Sequence, residues 1–149
     1  MADDANAFML RDEPTAAGDS RQIAITSQHD IIGARRAGRE IGTRLGFSTV
    51  ELTLIVTAIS ELARNIVAYA GAGDLRISPV RRGRREGMLI RARDSGPGIR
   101  DLRRAVAGGY STSRGLGLGL SGVRRLMDEF EVVSLASRGT DVTVHKWKR

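Results

Sequence analysis

STSRGLGLGLSGVRRLM, residues 111–127, places glycines at 115, 117, 119 and 122 directly before an apolar helical stripe. So much backbone freedom is costly to order, and three readings account for it. Gly117 to Gly122 fits the G-x-G-x-x-G pattern of dinucleotide-binding folds. That fingerprint needs a strand just before it inside a βαβ unit, and the preceding AVAGGYSTSR does not read as one. A flexible linker is the second reading, although Leu116, Leu118 and Leu120 make the run apolar for a solvated spacer. In the third, glycines at a helix N-terminus let backbone N–H groups approach an anion, and the helix dipole adds a favourable field. The segment by itself leaves these readings open.

The 149 residues suffice for one domain with a single core. Without cysteine there are neither disulfides nor thiolate metal sites, and His29 and His145, far apart in sequence, form no H-x-x-x-H pair, so no zinc site is expected. The longest apolar run, LTLIVTAI at 52–59, is far too short to span a bilayer, and the first residues are acidic where a signal peptide would be basic. A cytoplasmic protein without a membrane partner is expected. The formal charge of +7 invites a nucleic-acid reading. Against it, aromatic residues make up only 4% of the chain, which leaves little for base stacking. All but two of the 24 basic residues, Lys146 and Lys148, are arginine. No nucleic-acid partner is expected.

Residues 1–22 set five acidic side chains against Arg11 and Arg21 without periodicity and read as a disordered tail, leaving 23–149 as the domain. QIAIT at 22–26 alternates as a strand. Ile31, Ala34, Gly38, Ile41 and Leu45 then recur at helical spacing, with Gly46 as C-cap. Ser48 and Glu51 form a capping box that opens a second helix, with Leu52, Ile55, Ile59, Leu62 and Ile66 on its core side. DLRISPV and GMLIRARD read as strands joined by an exposed RRGRRE turn. A short helix from Asp101 to Ala107 follows, then a helix with Leu120, Val123, Leu126, Met127 and Phe130 on its buried face, and EVVSLAS and TDVTVHKW as closing strands. Interleaved helices and hairpins point to an α/β (α+β) two-layer sandwich, a mixed, mostly antiparallel sheet with helices on one face.

Glu61 and Asn65, four apart in SELARNIVAYA, share a helix face beside the buried stripe. Taken alone the pair fits a solvated helix surface, yet Asn is a poor mid-helix residue and its carbonyl is a hard ligand suited to magnesium. Asp94 ends a strand and begins DSGPGI. Its carboxylate can accept from an exocyclic amine, with Gly96 and Gly98 admitting a flat ring, although the same residues also make an ordinary turn.

The order of these pieces is more specific than any one of them. ELARN, DSGPGI, GLGLGL and Gly139-Thr140 together resemble the N, G1, G2 and G3 boxes of the GHKL ATPase superfamily (gyrase, Hsp90, MutL and histidine-kinase catalytic domains). Within it, FSTVELTLI, TAISELARNIVAYAG, GYSTSRGLGLGLSGVRRLMDEFEV and GTDV resemble the single-domain serine/threonine kinases of bacterial sigma-factor regulation, the stressosome switch kinases above all, over residues 23–149. The resemblance implies a Bergerat fold, with ATP and Mg²⁺ as cofactors and Glu61 as general base. Asn65 would hold the metal and Asp94 the adenine amine, with Gly98 beneath the base and Thr140 assisting. Gly96, Ile99, Arg114, Gly115, Gly117, Leu118 and Gly119 would complete the nucleotide set, residues 108–117 acting as a lid and Arg114 lying either on the γ-phosphate or in solvent. The implied partners are a STAS-domain antagonist or stressosome scaffold and a PP2C-type phosphatase. An anti-sigma factor kinase holding a sigma factor directly is the alternative within the family, and a non-enzymatic binding module the alternative outside it. On the resemblance the glycine-rich segment is a phosphate cover, and its dinucleotide fingerprint is a coincidence of pattern.

Overall fold

The computed structural model describes residues 13–99, 101–107 and 119–149. In chain order the elements are β1 (Thr15–Ala16), β2 (Arg21–Ile25), α1 (Asp30–Leu45), α2 (Thr49–Asn65) continued by a π-helical turn (Ile66–Ala70), β3 (Gly73–Arg82), β4 (Arg85–Asp94), α3 (Leu102–Ala107), α4 (Gly119–Leu126), β5 (Glu129–Leu135) and β6 (Gly139–Trp147). The sheet runs β3-β4-β6-β5, with β1 and β2 in succession along the outer edge of β3, and every described ladder is antiparallel.

Period-two alternation decides which face is covered. Leu75 and Ile77 of β3, Met88, Ile90 and Ala92 of β4, and Val142 and Val144 of β6 are buried under the helices. The other face carries rows such as Arg76, Arg91, Thr143 and Glu131, paired across neighbouring strands, and is polar. The helical layer is the expected one. α1 buries Ile31, Ala34, Gly38 and Ile41 and ends at Gly46 in the left-handed conformation. At the start of α2 the capping box is reciprocal: Glu51 N–H donates to Ser48 Oγ at 3.1 Å and Ser48 N–H to Glu51 Oε1 at 3.0 Å. α2 lies among α1, α4 and the sheet, so Val56, Ala58 and Ala63 are buried besides its apolar stripe.

Three elements differ from the sequence expectation. Residues 15–22, assigned by composition to the tail, carry ladders: Thr15 and Ala16 lie opposite Arg81 and Val80, and Arg21 and Gln22 opposite Ile77 and Arg76. The four side chains on the near strands are exposed. Backbone groups make the pairing, and these leave no mark on side-chain periodicity; residues 1–12 lie outside the described residues. The RRGRRE turn contracts to Gly83 and Arg84, because Arg82 is drawn into β3 by a bidentate pair with Glu129 and by the Trp147 ring. Phe130 belongs to β5, opposite Val144, rather than to the helix before it. That helix stops at Leu126 because Asp128 binds β6 twice, its N–H donating to the His145 carbonyl at 2.9 Å and its Oδ2 accepting from Trp147 N–H at 2.7 Å.

Asp128 also receives Arg149 Nη2 at 2.8 Å and lies 3.7 Å from Lys146 Nζ. Burial raises its carboxyl pKa, but the Trp147 N–H, Arg149 and Lys146 together outweigh burial and hold it below the ordinary value. A carboxylate with a depressed folded pKa stabilises fully above its unfolded pKa, about 3.9, and that stability is lost as pH falls through the folded value. Asp128→Asn should therefore flatten the acid limb of the stability curve below about pH 4. Urea midpoints from pH 7 down to 3 measure this; a limb as steep as the wild type's would show that the hub does not titrate.

No helix among the described residues is long and apolar enough to cross a membrane.

Candidate functional site

α2 delivers Glu61 and Asn65 to one end of the helical layer. Glu61 is 5% exposed, which is unusual for a carboxylate and demands partners. Among the described residues it has two: Oε1 pairs with Arg64 Nη1 one turn on, and Oε2 accepts from the N–H of Gly119, the first residue of α4, at 3.4 Å. Asn65 is half-buried at the point where α2 gives way to the π-helical turn, and its side chain makes no hydrogen bond among the described residues. Widened turns of this kind recur at functional sites. This one carries Ala70 onto the DSGPGI loop, where Gly96 packs against it.

Asp94 ends β4, half-buried. Its Oδ1 accepts from Gly96 N–H at 2.9 Å and from Thr140 N–H at 3.3 Å. Among the described residues both donors converge on that oxygen, which leaves Oδ2 to accept from a ligand. Thr140 is the second residue of β6, after Gly139, whose φ is 103°; a Cβ at Gly139 would enter the Asp94 carbonyl, so only glycine lets the turn lie this close to the carboxylate. Ser134 of β5 closes the network. Its Oγ accepts from Ile99 N–H at 2.7 Å and shares a hydrogen bond with Thr140 Oγ1 at 3.1 Å.

Glu61, Asn65, Asp94, Gly96, Gly98, Ile99, Gly119 and Thr140 thus lie on elements that touch one another. Arg114, Gly115, Gly117, Leu118 and the 108–117 lid lie outside the described residues. For two glycines the physical reason changes. The Cβ position of Gly96 is filled by Ala70 and that of Gly98, at φ 80°, by the Leu135 carbonyl. Their lack of a side chain serves packing of the protein against itself, where the sequence had suggested room for a flat ring. Gly119, expected at the phosphates, has its N–H on Glu61. Ser134 was not foreseen, although a serine in the inward register of Phe130 and Val132 was a readable sign.

An ATP site fits these groups. Asp94 offers an acceptor fixed from behind by two backbone amides, and Asn65 a side-chain carbonyl with no internal partner among the described residues. No group of three or more His, Cys, Asp or Glu side chains able to hold a metal occurs among the described residues. A magnesium ion here would take most of its ligands from phosphate and water.

Residues 49–149 match the family described as histidine kinase-, DNA gyrase B-, and HSP90-like ATPases. The serine/threonine-protein kinase RsbT of Bacillus subtilis (strain 168) is 49% identical over 131 residues, covering 88% of this chain and 98% of that protein. The chain belongs to this ATPase family, on its serine/threonine-kinase branch. Solved structures agree on the fold. The RsbU and RsbW domains of a Mycobacterium tuberculosis protein superpose with a TM-score of 0.62 at 18% identity, over 88% of this chain and 33% of that one. The SiaB–SiaC complex of Pseudomonas aeruginosa gives 0.57 at 14%, over 97% and 96%. In this kinase, as in the family, ATP is the nucleotide.

Proposed function

We propose that the chain is the switch kinase of a stressosome-type partner-switching pathway in the cytoplasm. It phosphorylates a serine or threonine of a STAS-domain antagonist and, once released, activates a PP2C-type phosphatase. The observation that carries the reading is the near-complete overlap with RsbT, at 49% identity. The convergence of Glu61, Asn65 and Asp94 on touching elements supports it.

The acceptor hydroxyl attacks the γ-phosphorus, the bond to the β-phosphate oxygen breaks, ADP leaves, and Glu61 takes the hydroxyl proton. Among the described residues each carboxylate oxygen of Glu61 has one resting partner, Arg64 on Oε1 and the Gly119 N–H on Oε2, and release of either opens that oxygen further to the hydroxyl. The Gly119 contact is the longer and weaker of ordinary hydrogen bonds at 3.4 Å, and phosphate is the natural competitor for that amide. Asp94 accepts from the adenine amine, and Thr140 and Ser134 hold the loop that faces the base. Asn65 would hold Mg²⁺, which when bound neutralises phosphate charge. Phosphoryl transfer depends chiefly on such positioning and neutralisation.

The test combines capture with transfer. The tagged chain should recover STAS-domain proteins and a PP2C-type phosphatase from its native cells, and should move label from γ-labelled ATP to the recovered STAS protein. Recovery of a sigma factor in their place would favour the anti-sigma kinase, and capture without any transfer the non-enzymatic binding module.

A further inference from the structure

Lys146 and Lys148 are the only lysines in the chain, and both do the same thing. Lys148 Nζ donates to the carbonyl of Leu45, the last residue of α1, at 3.0 Å. Lys146 Nζ donates to the carbonyl of Leu126, the last residue of α4, at 2.9 Å. A cation at a helix C-terminus answers both an orphan carbonyl and the helix dipole. Lysine suits a confined version of this place, since its ammonium is a compact donor, whereas a guanidinium would bring five fixed N–H groups needing partners. Lys146 is such a case: it is 6% exposed, on the inward face of β6 beneath the helix end, with Asp128 beside it.

The two lysines differ in what their helices carry. α1 holds none of the candidate site residues. α4 has eight residues and is about 12 Å long. Its first N–H meets Glu61, Leu120 and Val123 anchor it in the core, and the glycine-rich segment leads directly into it. On so short a helix a displacement at Leu126 is carried to Gly119. We infer that Lys146 is a positioning residue for the nucleotide site, acting through α4, while Lys148 is a stabilising residue of the same chemistry without that role. The inference rests on the nucleotide reading of the site given above.

The twin lysines supply their own control. ATP affinity in the presence of Mg²⁺ is measured by calorimetry on the full chain and on Lys146→Met and Lys148→Met, with hydrogen exchange followed over residues 119–126. Lys146→Met should raise the ATP Kd about tenfold, the scale of one charge-assisted hydrogen bond, and should speed exchange across α4. Lys148→Met should leave affinity within about twofold and α4 exchange unchanged, even where the two melting temperatures fall alike. Should Lys146→Met fail to fold, Lys146→Gln keeps a donor without the charge and is expected to show the same pattern at reduced size. Equal effects from the two sites, or unchanged affinity and α4 exchange in the Lys146 variant, overturn the inference. Wild-type protein that binds no ATP overturns the nucleotide reading itself, a result distinct from a wild type that binds and a Lys146 variant that binds equally well.

Discussion

Glu61→Ala should lower transfer of the γ-phosphoryl group to the partner by about 10²- to 10⁴-fold, the usual contribution of a general base, and leave ATP affinity within a few-fold. The proposed role sets Glu61 against the acceptor hydroxyl rather than the nucleotide, so on that proposal chemistry and binding separate at this residue. Two side effects of the truncation are foreseeable. Arg64 loses its partner, but its side chain is 41% exposed and solvates readily. Gly119 N–H loses the carboxylate at the start of α4, which could disturb the site for reasons unrelated to proton transfer. Glu61→Gln resolves the second: its amide oxygen still accepts from Gly119 but cannot take up a proton at neutral pH. The two variants should therefore show the same rate loss, the glutamine form with α4 undisturbed. Asn65→Ala contrasts with both and should weaken Mg²⁺-dependent ATP binding as well as transfer. Either Glu61 variant phosphorylating the partner at the wild-type rate while folded would remove Glu61 from the base role.

The helical layer was legible because its signals are local and redundant. The Ser48–Glu51 box, the stripe from Ile31 to Leu45 and the glycine stop at 46 each specify a helix end or face within a few residues, and each is found in place. β1 was not legible, since its two residues, Thr15 and Ala16, pair through backbone groups with one added bond from Thr15 Oγ1 to the Arg81 carbonyl and are too few to show alternation. The hairpin was half legible: its strands alternate, but their last residues follow the partners of Arg82, Glu129 and Trp147, which are more than forty residues away in sequence.

For the site, residue identities were easier to read than their reasons. Asp94 and Thr140 stand far apart in sequence, and only the β4–β6 ladder brings the Thr140 amide onto the Asp94 carboxylate. The glycines of DSGPGI were legible as glycines, but what fills their missing side chains, Ala70 and the Leu135 carbonyl, is tertiary information. Ser134 escaped notice because one serine in a strand is an ordinary surface residue until its register is known.

Asp94→Asn should reduce ATP affinity by about 10²-fold while leaving the melting temperature close to that of the wild type, and the hydrogen bonds behind the carboxylate make the reason specific. Gly96 N–H and Thr140 N–H both point at Oδ1. In the asparagine variant those two donors select the rotamer that gives them the amide oxygen, since the opposite rotamer would set N–H against N–H twice. The amide NH₂ is then forced into the Oδ2 position, where, on the proposed adenine contact, it would face the adenine amine donor to donor. The variant loses a charge-assisted bond and gains a mismatch, and buried polar groups left without complement discriminate by this order or more. The same geometry predicts a reversal: a purine triphosphate with a carbonyl in place of the amine, such as inosine triphosphate, should lose less affinity than ATP does on the change to asparagine. Calorimetry with the two nucleotides on wild type and variant measures both effects. Unchanged ATP affinity would make Asp94 a turn residue whose two amide contacts are its whole purpose, and equal losses for both nucleotides would place its effect on the loop rather than on the base.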